Sequence, residues 1–176
     1  MKKFLILILE IFMFCSLLSY SEEAYSPGSK EFMNAVKTLI LSESKNNKKL
    51  KEYIQKGVQE KNLLFSVKIE KEKIIVIDKN NKLLYEKILS KDISNKFLPF
   101  EMKYQEIQKK QGFFEYGDIT YLENNKKFRI KLESKIKKSS QNTKKSQLNE
   151  VYSTDIEYEK AELYDKNGKL LTKQED

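Results

Sequence analysis

The alternation of apolar and polar positions divides the chain into a helical part and a strand part. Phe32, Val36, Leu39 and Ile40 fall at helical spacing, with Met33 and Ala35 alongside them. Ser29 stands before this run, where its side-chain oxygen can accept from an early amide, so a helix is predicted over 30–44. Asn46 and Asn47 break and recap the chain. Leu50, Tyr53, Ile54 and Val58 then give a second amphipathic helix over 48–61, interrupted softly by Gly57.

After Leu63 the period changes to two. Phe65, Val67 and Ile69 alternate with Ser66, Lys68 and Glu70. Ile74 to Ile77 is an unbroken β-branched run, which predicts a strand covered on both faces at the centre of the sheet. Residues 90–112 fit helix and strand equally well. Phe113 to Leu122 reads as a strand with a bulge at Gly117-Asp118. Phe128, Ile130 and Leu132 alternate with Arg129, Lys131 and Glu133, and strand character returns from Val151 to Tyr164. Hairpin turns are expected at 80–81, 124–125 and 167–168, the last carrying Asn-Gly with positive φ at both positions. The fold class expected is therefore α+β: an N-terminal helical pair packed on an antiparallel sheet built from hairpins.

Residues 137–149 hold four lysines and a single apolar side chain, Leu148, which predicts a mobile loop. The first 21 residues read as a secretory signal peptide. Lys2 and Lys3 precede an apolar run from Phe4, and Ser19 and Ser21 supply small residues for cleavage before Glu22. Glu10 within the apolar run argues against a permanent anchor, since a charge at a membrane-helix centre costs roughly 2.5–3.5 kcal/mol. Cys15 raises the question of lipidation. Phe14 before it is large for a lipidated cysteine, so Cys15 reads as one more apolar residue of the signal. One domain is expected over 22–176, periplasmic, cell-surface or secreted.

Composition narrows the chemistry. Without residues 1–21 the net charge of +8 becomes +7, and no cysteine remains for a disulfide or a thiol nucleophile. A basic exported protein suits anionic surfaces. Arg129 is the only arginine among 34 basic residues, which argues against nucleic acid, since arginine's planar fork is the residue of choice for phosphates and bases. No histidine is present, so histidine-based triads and histidine zinc sites are excluded. Glycines 28, 57, 112, 117 and 168 are isolated and form no phosphate loop. Ser-x-x-Lys occurs at Ser42–Lys45 and at Ser134–Lys137, about as often as composition alone gives, without the companion motifs of Ser/Lys hydrolases. Carboxylates mostly alternate with lysine, as in Glu70-Lys71-Glu72-Lys73, and no tryptophan accompanies them as in sugar-cleaving clefts. No catalytic residue, metal site or cofactor is assigned.

Tyr104, Phe114, Tyr116, Tyr121, Tyr152, Tyr158 and Tyr164 lie in or beside predicted strands. On one sheet face they could receive a small apolar ligand or a protein partner; otherwise they are core and cross-strand packing. Asp78-Lys79-Asn80-Asn81-Lys82-Leu83-Leu84 matches Asp165 to Leu171 at six of seven positions. It lacks the later glycine and distal glutamate of a calcium loop. Such turns resemble those of small exported antiparallel modules and of strand-pair repeat proteins, over some eight residues at a time, and name no family. The echo reads as convergence of hairpin turns in a Lys/Asn-rich chain. The expectation overall is an exported, non-enzymatic binding protein. The alternatives are an adhesive envelope component on anionic surfaces, or a hydrolase of carboxylate or Ser/Lys type.

Overall fold

The structure, a computed structural model, describes residues 24–136 and 156–175. The expected signal segment 1–21, Cys15, the 137–149 loop and Tyr152 lie outside these residues.

Helix α1 spans Lys30–Asn46 and α2 Lys48–Gln59. The Ser29 side chain accepts from the Phe32 amide at 3.1 Å, as its position predicts. Asn47 closes α1 and opens α2: its amide donates to the Ser44 carbonyl, and its Oδ1 accepts from the Leu50 amide at 2.9 Å. Gly57 does not interrupt α2. A Cβ there would stand 2.7 Å from Leu63 Cδ1 and 3.0 Å from Leu63 Cα, so the glycine lets α2 lie directly on the first strand.

Eight strands follow: β1 Asn62–Glu70, β2 Lys73–Asp78, β3 Leu83–Ile88, β4 Phe100–Lys109, β5 Gly112–Glu123, β6 Lys126–Ile136, β7 Ile156–Tyr164 and β8 Leu170–Glu175. A one-turn helix, α3 Lys91–Ser94, precedes β4 and resolves the ambiguous 90–112 stretch. All neighbours are antiparallel, in the order β3-β2-β1-β4-β5-β6-β7-β8. The α+β architecture with a helical pair on an antiparallel sheet is thus what the chain forms.

The helices cover one face. Phe32, Val36, Ile40, Leu50 and Ile54 pack onto Phe65, Val67, Ile69, Ile74, Val76, Met102, Tyr104 and Ile119, all buried. Register explains the layer: Ile69 lies opposite Ile74 and Phe100, and Val67 opposite Val76 and Met102.

Three expectations need correction. The Phe65–Leu89 region is not central: β3 is an edge strand with β2 beside it, and the central pair is β4–β5. Ile74 and Val76 are fully buried, whereas Ile75 and Ile77 are only half-buried on the opposite face. The run has one face covered by the helices and is not clad on both. Second, Gly117 makes no bulge. It pairs in register with Tyr104 and Leu132, and a Cβ would meet Met33 Cε at 3.1 Å. The glycine admits a helix side chain onto the sheet. Third, of Asn167-Gly168 only Gly168 has positive φ (+78°). That hairpin is a three-residue turn with a one-residue slip between Leu163 and Tyr164. The two-residue turn with both positions at positive φ is Asn124-Asn125 (+50°, +59°).

Candidate functional site

The face away from the helices is built by alternation. Every second residue of β4 to β8 points there, and register sets them in rows. One row runs Lys103, Asp118, Lys131, Glu162, Lys173 across five strands. Another runs Tyr116, Glu133, Lys160, Glu175. Opposite charges directly across a ladder contribute roughly 0.2–1 kcal/mol each. This surface is therefore stable in water without cover.

The described members of the aromatic set divide between the two faces. Tyr104 and Tyr121 are buried under the helices, Tyr104 against Phe65 with ring centroids 5.0 Å apart. Phe114 and Tyr116 face outward as a stacked pair at 6.3 Å, but Lys109 lies over both rings, at 5.0 and 4.8 Å. The Lys109 ammonium also donates to Tyr116 Oη, which itself donates to Glu133 Oε1 at 3.2 Å. Tyr164 carries Lys131 over its ring at 5.1 Å. The outward aromatic faces are thus engaged by lysines, a poor surface for an apolar ligand.

Where β4, β5 and β6 meet the β7–β8 turn, the same face forms a depression of about 360 Å³, within the range of small-ligand sites. Thr120 lines it from β5, and Phe128 borders it while its ring stacks on Tyr121 at 5.5 Å on the helix side. Its acids are engaged. Arg129 binds Asp118 with both arms of its fork, Nε to Oδ1 at 2.7 Å and Nη2 to Oδ2 at 2.5 Å. That hydrogen-bonded fork holds the Asp118 carboxyl below the usual carboxylate range, so Asp118 is ionised at neutral pH. Asp165 Oδ1 accepts from the Asn167 and Lys169 amides at 2.8 and 2.9 Å. Glu101 lies opposite Lys68 in the ladder. Lys103 stands opposite Asp118 in the ladder and acts on it electrostatically, whereas Lys127 and Lys166 have no carboxylate within ion-pair distance among the described residues. Four cations and three carboxylates line the depression, an excess of one positive charge, beside the Thr120 hydroxyl.

Two further polar clusters lie beneath the helices. Lys37 on α1 pairs with Glu115 on β5 at 2.9 Å, both nearly fully buried; Glu115 Oε2 accepts from the ammonium at 3.1 Å, while Oε1 has no aligned donor. Glu43 accepts from Lys87 Nζ at 3.0 and 3.1 Å and from the Tyr85 hydroxyl, whose pKa burial and then the carboxylate push strongly upward. Both clusters tie α1 to the sheet, at β5 and at β3.

The Ser-x-x-Lys candidates are scattered. The Ser42 hydroxyl donates to its own helix at the Leu39 carbonyl, 2.8 Å away. Ser134 is buried on the helix side of β6, and Lys137 lies outside the described residues. Sequence reasoning singled out Arg129 as the lone arginine but missed Lys103, Thr120, Lys127, Phe128 and Lys166. The alternation around Phe128 places Arg129 outward; only the strand register places Lys103 and Asp118 beside it.

No protein-family model, no curated protein and no solved structure matches the chain. No helix among the described residues is long and apolar enough to cross a membrane.

Proposed function

We propose that this is an exported, non-enzymatic binding protein that takes an anionic ligand in the depression beside the β7–β8 turn. The observation that carries this reading is the cationic excess there: four cations line the depression against three carboxylates, and Lys127 and Lys166 have no ion-pair partner among the described residues. Of the readings open from sequence, association with anionic surfaces gains support, and the apolar-ligand reading loses it because lysines cover the outward rings. Export rests on the signal pattern of residues 1–21. The buried carboxylates sit in ion pairs under the helices, which speaks against a two-carboxylate hydrolase.

The test is binding of the mature chain to an immobilised acidic polysaccharide such as heparin. The triple variant Lys103→Glu, Lys127→Glu, Lys166→Glu should bind at least about tenfold more weakly, the loss of roughly 1.4 kcal/mol expected from removing several exposed attractions and adding repulsions. Its urea midpoint should be close to wild type, since all three side chains face solvent. Equal binding by variant and wild type would remove the depression from consideration.

A further inference from the structure

The two hairpins whose turns share six of seven residues sit at the two edges of the sheet, and their backbones agree in detail. In the β2–β3 turn the Asp78 amide donates to the Lys82 carbonyl at 2.9 Å and the Asn81 amide to the Asp78 carbonyl at 3.0 Å. In the β7–β8 turn the Asp165 and Gly168 amides make the same bonds, at 2.9 and 3.0 Å. Asp78 Oδ1 accepts from the amides of Asn80 and Lys82, both at 2.8 Å, as Asp165 Oδ1 does from those of Asn167 and Lys169. Asn81 and Gly168 both have positive φ. The strand slip also recurs at the same place, between the two residues before each aspartate.

This geometry accounts for two of the seven positions. It needs a side-chain acceptor at the aspartate and a residue tolerant of positive φ at Asn81 or Gly168. It does not need lysine at 79 and 166, lysine at 82 and 169, or leucine at 83 and 170. Lysine is about one residue in five here, so composition supplies part of this agreement. Those side chains are on the surface, and the two leucines are equally exposed, at 46% and 47%. Identity that the backbone does not demand, at positions in contact with solvent, indicates a shared surface task.

The β7–β8 turn already contributes Lys166 to the electropositive depression. The β2–β3 turn has an electropositive setting of its own. Lys79 and Lys82 have no ion-pair partner among the described residues. Helix α2 docks against the turn: the Lys79 amide donates to Tyr53 Oη at 3.4 Å, and Lys49 Nζ to the Leu83 carbonyl. The first turn of α2 carries Lys48, Lys49 and Lys51 and no acid. Cations there oppose the helix dipole, typically at 0.3–1 kcal/mol each. Lys48 is paired with Glu52 at 3.8 Å, so Lys49 and Lys51 are the first-turn cations that carry this cost.

We propose that the β2–β3 turn is a second anion-binding element equivalent to the β7–β8 turn, making the protein bivalent for a linear acidic polysaccharide. The inference rests on the anionic reading of the depression and extends it to valency. Five antiparallel steps separate β2 from β7, so the turns leave opposite ends of the sheet. Six strand spacings of ~4.8 Å put them about 29 Å apart laterally before strand length is added. At opposite corners they cannot serve one short ligand or rest together on a membrane lying along one end of the sheet. A long flexible polyanion reaches both, or two chains are bridged.

The experiment titrates the mature chain with a heparin-derived hexasaccharide, then mixes it with long-chain heparin. Two hexasaccharides per chain are expected, and one for each of the variants Lys79→Glu/Lys82→Glu and Lys127→Glu/Lys166→Glu. Wild type should cross-link the long polymer into a turbid, salt-reversible complex, and either variant should bind without turbidity. A stoichiometry of one that Lys79→Glu/Lys82→Glu leaves unchanged overturns bivalency while the depression stands. No hexasaccharide binding at all overturns the anionic reading and bivalency together. Circular dichroism of each variant keeps misfolding apart from these outcomes.

Discussion

Replacing Ile74 with alanine will destabilise the domain by about 2–5 kcal/mol, and the same change at Ile75 will cost about 1 kcal/mol or less. The residues are adjacent on β2 and chemically identical, so the comparison isolates the two faces. Ile74 has no exposed surface and lies opposite Ile69 and Lys87 in the layer beneath the helices. Removing it leaves a cavity between helix and sheet that close-packed neighbours fill only partly. Ile75 is half-buried between Lys68 and Glu86 on the charged face, where truncation removes cross-strand contact with no enclosed void. Urea melts of both variants give the comparison. Equal large losses would mean that something covers the outer face of β2 in solution.

Lys37→Met will be among the most damaging single changes in the chain, at about 3–5 kcal/mol, because it strands the Glu115 carboxylate under α1. Charge removal from both partners, in Lys37→Met/Glu115→Met, should recover most of that loss, since a well-packed apolar pair often equals or exceeds a buried ion pair in stability. Equilibrium unfolding of the two singles and the double forms the cycle. A double variant no more stable than Lys37→Met would show that the side chains act by packing volume and not as a charge pair. The pair joins the middle of α1 to β5, and the Glu43–Lys87 cluster ties the C-terminal part of α1 to β3. Together they hold the helix at two points on the sheet. Specific orientation is what such buried charges contribute when stability alone does not explain them.

Much of this architecture was legible from periodicity. Ser29 and Asn47 cap helices where their side chains suggested, and the change from helical spacing to alternation after Leu63 marks the first strand. Strand order was not legible, because alternation states which face a residue takes and not which strand lies beside it. That is why the β-branched run at Ile74–Ile77 suggested a centre when it forms the strand next to an edge. Gly117 and Gly57 misled for a related reason: each makes room for a partner distant in sequence, Met33 and Leu63 respectively, and local signals treat such glycines as breaks. The candidate site was legible only in part. Arg129 was conspicuous as the lone arginine, but its pairing with Asp118, and the gathering of Lys103, Lys127 and Lys166, follow from β4–β5–β6 register and from the turn after β7. The aromatic strands promised an apolar surface because sequence shows the rings and not the lysines lying over them.

The depression and its lysines stand or fall most directly on the salt dependence of binding. Exposed charges in water attract over about 10 Å at 0.1 M ionic strength and over about 3 Å at 1 M, so attraction through solvated lysines must weaken as salt rises. The measurement is the dissociation constant of the mature chain for heparin oligosaccharide at a series of sodium chloride concentrations from about 0.05 to 0.5 M. The account predicts a steep, monotonic loss of affinity, at least about tenfold over that range, and a shallower slope for the Lys103→Glu, Lys127→Glu, Lys166→Glu variant. Affinity that does not change with salt, or a wild type and a triple variant with the same slope, would contradict it.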